Sequence, residues 1–274
     1  MRFHGIEPEP RVVRWHGMHM IRKGKGEPLL LVHGLGSSSR SWRTVVPGLA
    51  ARRELILIDL PGHGETPAEA DSGSFAGLVR SLEALLDRER LGGVDMAGSS
   101  MGARLVLEMA RRGKSGAVVA LDLGGFWAGW ERGWLKATLT ASVWLLRGLG
   151  GGLPALARLA PTRTMLLAQL STRPWALDPE LVADELKSFA ATPTFDALVR
   201  DLAYGPVQEG PAAALSGPVT IGWGRHDRLC LPVQAERALA AFPSARLHWF
   251  EESGHFPMWD QPEETAALIL EAIS

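Results

Sequence analysis

Short, uninterrupted apolar runs alternate with amphipathic helical patterns along the N-terminal part of the chain. The apolar runs are residues 29–32, 55–59, 94–98 and 117–123. Runs of this length without polar alternation are typical of parallel strands that are buried on both faces. Between two of these runs, apolar residues at positions 75, 78, 79, 82, 85 and 86 fall on one face of a helix. The alternation predicts an α/β fold with a mainly parallel central sheet flanked by helices.

The alternation stops after residue 125. From there to residue 204 no buried strand pattern occurs, and five of the ten tryptophans fall among helical stretches punctuated by Gly and Pro. Strand patterns resume with residues 219–222 and 246–250. Because a helical segment interrupts the strand pattern, we expect a core in two pieces with a helical cap inserted between them, with the core formed by residues 1–125 and 206–274 and the cap by residues 126–205.

Composition and charge exclude several functional classes. Lys and Arg number 29 against 30 for Asp and Glu, so there is no basic field for sequence-independent binding of nucleic acid. Residues 1–10 contain two Glu and two Pro and lack the apolar run of a secretory signal. Charges and glycines interrupt the longest apolar region, residues 135–160, which predicts no membrane span. Cys230 is the only cysteine, so no intrachain disulfide can form. We expect a cytoplasmic enzyme or binding protein.

Residues 98–102 read Gly-Ser-Ser-Met-Gly, which fits the pattern G-x-S-x-G between a predicted strand and a predicted helix. A nucleophilic hydroxyl raised on so tight a turn requires small residues two positions before and two positions after it, because the backbones pass closely there. The next residue then presents its N–H near the helix N-terminus, where a developing oxyanion is held. This context predicts Ser100 as a nucleophile and the Met101 N–H as an oxyanion donor.

A serine nucleophile needs a base, and the base needs an acid that orients it. His255 follows the last predicted strand, and Asp227 follows the strand at residues 219–222. The chain order Ser100, Asp227, His255 is that of one triad-bearing fold and differs from both protease orders. Asp122 is a second candidate acid, although capping the turn at Gly124-Gly125 would be a sufficient structural role for it. We predict that Asp227 is the acid.

Further motifs lead to a known family. His33-Gly34-Leu35-Gly36 follows the first apolar run, where a second oxyanion donor is needed, and the Leu35 N–H is the candidate. Together with the elbow at Ser100, with residues 59–64 (DLPGHG) and with Gly254-His255 near Gln261-Pro262-Glu263, it resembles the α/β-hydrolase superfamily in its capped esterase, C–C hydrolase and dehalogenase branch. The resemblance runs from about residue 28 to the C-terminus, apart from the cap. It implies an α/β-hydrolase fold with an inserted helical cap.

Departures from the family pattern narrow the activity. Ser100 stands where haloalkane dehalogenases and epoxide hydrolases carry Asp, and Met101 stands where dehalogenases typically carry Trp. The resemblance therefore implies a cofactor-free serine hydrolase that acts on a small-molecule ester with a small or medium apolar group. Two alternatives remain open: hydrolysis or lysis of a carbon–carbon bond on the same triad, and a ligand receptor that keeps the triad but turns over slowly.

Motifs for other ligands are incomplete. Gly34-x-Gly36 begins like a dinucleotide fingerprint, but Ser39 replaces its third glycine. His16-x-x-His19 has no partner that would complete a metal site. We therefore expect no cofactor and no metal. Trp127, Leu170 and Phe256 are the predicted pocket residues, and the Trp- and Leu-rich cap favours an apolar or aromatic substrate.

Overall fold

An eight-stranded sheet organises this computed structural model, which describes residues 11–15 and 17–274. The strands pair in the spatial order β1-β2-β4-β3-β5-β6-β7-β8. β2 runs antiparallel to both of its neighbours, and all other pairs from β3 to β8 are parallel, which confirms the expected mainly parallel sheet. In chain order the strands are β1 (Arg11–Trp15), β2 (Met18–Lys23), β3 (Pro28–Val32), β4 (Glu54–Ile58), β5 (Asp95–Ser99), β6 (Val118–Leu121), β7 (Val219–Gly224) and β8 (Arg246–Phe250).

Helices cover both faces of the sheet. Successive residues of β3 point to opposite faces, so Leu30 and Val32 join one apolar core while Leu29 and Leu31 join the other. Covering both faces explains why the strands read as continuous apolar runs. The helices are α1 (Val46–Ala50), α2 (Phe75–Arg88), α3 (Met101–Arg111), α4 (Glu131–Leu149), α5 (Leu153–Arg158), α6 (Ala160–Leu167), α7 (Pro179–Ala191), α8 (Phe195–Tyr204), α9 (Gln234–Ala241), α10 (Pro257–Asp260) and α11 (Pro262–Ala272).

Helices α4 to α8 lie between the neighbouring parallel strands β6 and β7, and we call them the α4–α8 insertion. The α4–α8 insertion contributes no strand to the sheet. Its apolar side chains join the second apolar core, and they include Val143, Leu146, Leu181 and Phe189. The sheet continues past them in register, because Val118 pairs with Val219 across the insertion.

The sequence pattern does not predict β1 and β2, which extend the sheet at its antiparallel end. In β2 only Met18, His19 and Met20 are buried, so the continuous apolar signature of the central strands is missing. Two expectations concern positions outside the described residues. They are the lack of a secretory signal in residues 1–10 and the lack of a metal site at His16. Within the described residues, no helix combines the length and apolar character needed to cross a membrane.

Candidate active site

Ser100 occupies the turn between β5 and α3 with φ 56° and ψ −117°. Residues other than glycine rarely adopt this backbone conformation. Its neighbours leave no room for a Cβ: one added at Gly98 would lie 2.3 Å from the Gly102 carbonyl oxygen, and one at Gly102 would lie 2.2 Å from the Val32 carbonyl oxygen. The spacing of the two glycines is therefore a steric requirement of the turn that presents Ser100.

The structure brings Ser100, His255 and Asp227 together from three separate loops. His255 Nε2 lies 2.9 Å from Ser100 Oγ, and His255 Nδ1 lies 2.8 Å from Asp227 Oδ2. Both His255 and Asp227 are buried. The second carboxylate oxygen of Asp227 accepts hydrogen bonds from the backbone N–H groups of Leu229 and Cys230, at 2.8 and 3.0 Å. The carboxylate is thus fixed with one oxygen aimed at the imidazole.

The loops that carry Asp227 and His255 are held against each other by close backbone contacts. A Cβ at Gly224 would lie 2.0 Å from the Gly254 carbonyl oxygen, so only glycine fits where the two loops cross. The His226 N–H donates to the Ser253 carbonyl at 2.9 Å, and the His255 N–H donates to the Leu170 carbonyl at 2.9 Å. The last contact means that the α4–α8 insertion helps to place the imidazole.

Asp122 lies beside this site but makes different contacts. It follows β6 with φ 46°, and its Oδ1 accepts a hydrogen bond from the Gly224 N–H at 2.8 Å. The expectation that Asp122 caps the Gly124-Gly125 turn is therefore wrong. Its side chain reaches across the sheet edge and accepts a hydrogen bond from the end of the neighbouring strand β7 instead. Burial, together with the nearby charge of Asp227, raises the pKa of Asp122 well above its usual range.

The loop after β3 passes directly over Ser100. A Cβ at Gly34 would lie 3.1 Å from the Ser100 Cβ, and both Leu35 and Met101 line the same cavity as Ser100. His33 ties this loop to the loop after β4, since its Nδ1 donates to the Gly34 carbonyl and its Nε2 accepts from the Leu60 N–H at 3.0 Å. Burial lowers the pKa of His33, which keeps the ring neutral for these two hydrogen bonds.

Comparison with known proteins identifies the family of this chain. The sequence profile described as "Alpha/beta hydrolase family" matches residues 29–268. The chain belongs to the alpha/beta hydrolase family. Membership confirms the resemblance inferred from the motifs, and it implies that the protein is a hydrolase.

Individual proteins similar to this hydrolase carry different named activities. A 2-hydroxy-6-oxononadienedioate/2-hydroxy-6-oxononatrienedioate hydrolase of Dechloromonas aromatica is 28% identical over 269 residues, which cover 94% of this chain and 90% of the relative. A thermophilic esterase from Thermogutta terrifontis superposes with a TM-score of 0.72 at 22% identity, covering 93% of this chain and 92% of that one. A carboxylesterase from Bacillus subtilis superposes with a TM-score of 0.73 at 18% identity, covering 98% of this chain and 92% of that one. At this identity, the two structural likenesses show the fold.

The hydrolase has a cavity of about 80 Å³ that opens onto Ser100 and His255. The three predicted pocket residues, Trp127, Leu170 and Phe256, all line it. Few polar groups line this cavity besides Ser100 and His255. Aliphatic and aromatic side chains from the α4–α8 insertion form much of its wall. The additional polar groups are Arg104, Ser142, Gln169 and Cys230.

Cys230 is a site neighbour that the sequence did not point to. Its sulfur, an oxygen of Asp227 and a ring nitrogen of His255 lie within 4.8 Å of one another. Burial, followed by the charge of Asp227, raises the pKa of the thiol well above its usual range. A raised pKa favours the neutral thiol, which is a weaker nucleophile than the thiolate.

A buried carboxyl group joins the α4–α8 insertion to the loop beside Ser100. Glu185 of α7 is fully buried, and its Oε2 accepts a hydrogen bond from Ser37 Oγ at 2.7 Å. Gly36, which precedes Ser37, has φ 73°. It packs so tightly against Phe189 and Phe195 that a Cβ at this position would lie 2.7 Å from both rings. Burial raises the pKa of Glu185 to about 8. Its other oxygen is buried without a hydrogen-bond partner.

Arg104 is a buried cation in the wall of the cavity. No carboxylate lies within ion-pair distance of it in the described part of the chain, and burial lowers its pKa to about 10. Its guanidinium stacks 4.0 Å above the Phe75 ring and donates to the Pro206 carbonyl at 2.5 Å and to Gln208 Oε1 at 3.3 Å. Arg104 thus fastens the segment after α8 to the helix that follows Ser100.

Proposed function

We propose that this hydrolase cleaves carboxylic esters through a covalent acyl-enzyme on Ser100. The observation that carries the proposal is the continuous line of hydrogen-bonding atoms from Ser100 Oγ to His255 Nε2 at 2.9 Å and from His255 Nδ1 to Asp227 Oδ2 at 2.8 Å. A hydroxyl, an imidazole and a carboxylate in this order are the groups that acyl transfer to water requires.

Each group has a defined role in the proposed reaction, and His255 acts in both the acylation and the deacylation step. His255 Nε2 takes the Ser100 proton as Oγ attacks the ester carbonyl, and Asp227 holds the Nδ1 proton and stabilises the imidazolium. The N–H groups of Leu35 and Met101 hold the oxyanion of the tetrahedral intermediate. The imidazolium then protonates the departing alcohol. A water molecule then attacks the acyl-enzyme carbonyl while His255 Nε2 takes its proton. The imidazolium returns this proton to Ser100 Oγ as the carboxylic acid leaves.

The cavity supports a small or medium apolar substrate. Trp127, Leu170 and Phe256 would surround the acyl or alcohol group, because all three line the cavity together with Ser100. In this proposal the α4–α8 insertion serves as the cap, because its side chains form the wall opposite Ser100, and the reaction takes place in the cytoplasm. Burying an apolar side chain of the substrate contributes about 1.5 to 3 kcal/mol, comparable to burying a Leu or Phe.

Hydrolysis of a carbon–carbon bond is the second candidate. It is favoured by the relative from Dechloromonas aromatica, whose name specifies a 2-hydroxy-6-oxo dienedioate and whose similarity spans 94% of this chain. The same serine, base and acid serve that reaction as well, so the triad by itself does not separate the two.

Steady-state hydrolysis of p-nitrophenyl esters of increasing acyl length tests the proposal. We expect turnover by the wild type, a preference among chain lengths, and loss of turnover in a folded Ser100→Ala variant. A 2-hydroxy-6-oxo dienoate serves as the parallel substrate for the second candidate. Turnover of the dienoate alone would replace ester cleavage by carbon–carbon cleavage, and binding of either probe without turnover would favour a receptor.

A further inference from the structure

The loop that follows β3 contacts Ser100 on one side and the α4–α8 insertion on the other. A Cβ at Gly34 would lie 3.1 Å from the Ser100 Cβ, and a Cβ at Gly36 would lie 2.7 Å from the Phe189 ring. Leu35, the candidate oxyanion donor, comes between these two glycines and lines the cavity. Contacts on both sides therefore hold the segment that carries its N–H.

One face of helix α7 meets this loop. Positions 185, 189 and 192 lie on one side of the helix and its C-terminal end, because they are separated by steps of four and three residues. Glu185 Oε2 accepts the hydrogen bond from Ser37 Oγ at 2.7 Å, and Thr192 Oγ1 lies 3.4 Å from the Gly36 carbonyl oxygen. Phe189, between them in the helix, packs on Gly36.

Core residues hold the two ends of this loop, which we call the 34–37 loop. At its start, His33 Nδ1 donates to the Gly34 carbonyl at 2.7 Å. Just after its end, the Ser39 N–H donates to Asp59 Oδ1 at 2.7 Å. The middle of the loop instead meets α7, so the position of the α4–α8 insertion affects where the middle of the loop lies.

Glu185 is an unfavourable residue for packing alone. It is fully buried, and its Oε1 has no hydrogen-bond partner in the described structure. A buried polar atom without a partner destabilises the folded state, and a leucine of similar size would avoid that cost. Residues that lower stability in this way are expected at functional sites. The one hydrogen bond that Glu185 makes through its side chain leads to the 34–37 loop.

We infer that Glu185 is a positioning residue, which through Ser37 fixes the 34–37 loop in the shape that aims the Leu35 N–H at the oxyanion. The inference rests on the proposed reaction, in which this N–H stabilises the tetrahedral intermediate. A displacement of about 1 Å at a reacting centre can lower a rate about 10²-fold, so a contact two residues from the donor affects the chemistry. The α4–α8 insertion then completes the oxyanion site as well as enclosing the substrate.

Glu185→Leu tests the inference, because it removes the acceptor of the Ser37 hydroxyl and keeps a side chain of similar size. We expect kcat and kcat/KM for a p-nitrophenyl ester to fall together, roughly tenfold to a hundredfold, with little change in KM. This is the pattern of an interaction that acts only in the transition state. Glu185→Gln retains an acceptor and should keep kcat within a few-fold of the wild type.

A trifluoromethyl ketone separates positioning from a loss of folded enzyme. The ketone adds to Ser100 Oγ and then carries an oxyanion, so its binding depends on the donors that stabilise the transition state. Its inhibition constant should rise in Glu185→Leu by about the factor by which kcat/KM falls. An inhibition constant does not depend on the fraction of enzyme that is folded, so a merely structural role would leave it unchanged.

Ser37→Ala removes the same hydrogen bond from its other end and decides the inference if Glu185→Leu does not fold. Its kcat should fall as well, and the double variant Ser37→Ala/Glu185→Leu should lose no more activity than the weaker single variant, because both changes act through one contact. Arg43→Gln is the matched control. Arg43 pairs with Asp184 of the same helix, so this change loosens α7 from the core without touching the 34–37 loop, and kcat should not change.

Hydrogen exchange of peptides that cover the 34–37 loop needs no substrate. We expect faster exchange there in Glu185→Leu than in the wild type and in Arg43→Gln, because the loop has lost its contact with α7. A wild type that does not turn over esters would reject the proposed ester cleavage, and the exchange rates would still decide the inference.

Three results would overturn the inference. The first is a kcat in Glu185→Leu or Ser37→Ala equal to that of the wild type. The second is an equal loss of kcat in Arg43→Gln. The third is unchanged exchange of the 34–37 loop in Glu185→Leu.

Discussion

At the scale of single residues, the site depends on groups whose geometry is fixed by backbone contacts. Ser100 is held at φ 56° by a turn that tolerates only glycine at positions 98 and 102. Asp227 accepts two backbone hydrogen bonds on one oxygen and faces His255 with the other. Such fixed positions lower the reorganisation that a reaction requires, because the groups are already aligned before the substrate binds.

The two carboxyl groups near His255 should respond differently to the same substitution. Asp227→Asn preserves shape but favours the wrong tautomer of the imidazole, an effect of about 10⁴ in kcat in a triad protease. We expect a loss of orders of magnitude in kcat with little change in Tm. Asp122→Asn retains an acceptor for the Gly224 N–H, so kcat should stay within a few-fold of the wild type. Ester turnover and thermal melts of both variants give the answer, and the reverse pattern would make Asp122 the acid.

The proximity of Ser100, Asp227 and His255 could be predicted from sequence, and the contacts that support these three side chains could not. Ser100, Asp227 and His255 each follow a recognisable strand, so their positions at one edge of the sheet come from local patterns. The contact of Ser37 with Glu185 joins residues 148 positions apart, and no local pattern marks it. The role of the Leu170 carbonyl is equally invisible, since a backbone acceptor carries no residue-type signal.

At the scale of elements, predictability follows burial. Strands β3 to β8 agree with the predicted apolar runs to within about two residues at either end, because both faces of the sheet are covered. β2 escapes prediction because its second half, from Ile21 to Lys23, is only partly buried. The helical character of the α4–α8 insertion could be predicted from the absence of strand patterns, whereas its exact packing against the loop at Gly36 depends on tertiary contacts.

The wall of the cavity should control substrate size. Trp127 and Leu170 line the cavity beside Ser100, so Trp127→Ala and Leu170→Ala enlarge it. We expect the preferred acyl length in both variants to shift to longer chains, measured as the ratio of kcat/KM between long and short p-nitrophenyl esters. That ratio is independent of how much folded enzyme each preparation contains.

A matched control for these variants is Leu159→Ala. Leu159 belongs to the same insertion but is exposed and does not line the cavity. Its ratio should remain that of the wild type. An unchanged ratio in both Trp127→Ala and Leu170→Ala would remove these two residues from the substrate site.

At the scale of the whole molecule, the α4–α8 insertion is fastened to the core by a carboxyl group whose protonation changes with pH. Glu185 has a pKa of about 8 in the folded protein, against 4.5 for an unperturbed Glu. Below the lower value both folded and unfolded chains carry the proton, so the group costs nothing. As the pH rises towards 8, only the unfolded chain ionises, and the free energy of unfolding falls. The full effect is on the order of 4 to 5 kcal/mol.

Glu185→Gln should remove that pH dependence. The amide cannot ionise, and its oxygen can accept the Ser37 hydrogen bond. Urea unfolding at pH 5 and at pH 8 should show the wild type losing several kcal/mol more stability than the variant over this interval. Glu180→Gln, at an exposed position of the same helix, should behave like the wild type. Equal slopes in Glu185→Gln and the wild type would mean that Glu185 is already ionised in the folded protein at neutral pH.

The proposed reaction depends on Ser100 being the nucleophile. Incubation with a reactive alkyl phosphonate, followed by proteolysis and mass spectrometry, tests this directly, because the reagent is attacked by an activated serine and stays attached to it. We predict a single modified site, at Ser100, and a large decrease in labelling rate in the His255→Ala variant. Modification at another serine, or undiminished labelling of Ser100 without His255, would contradict the account.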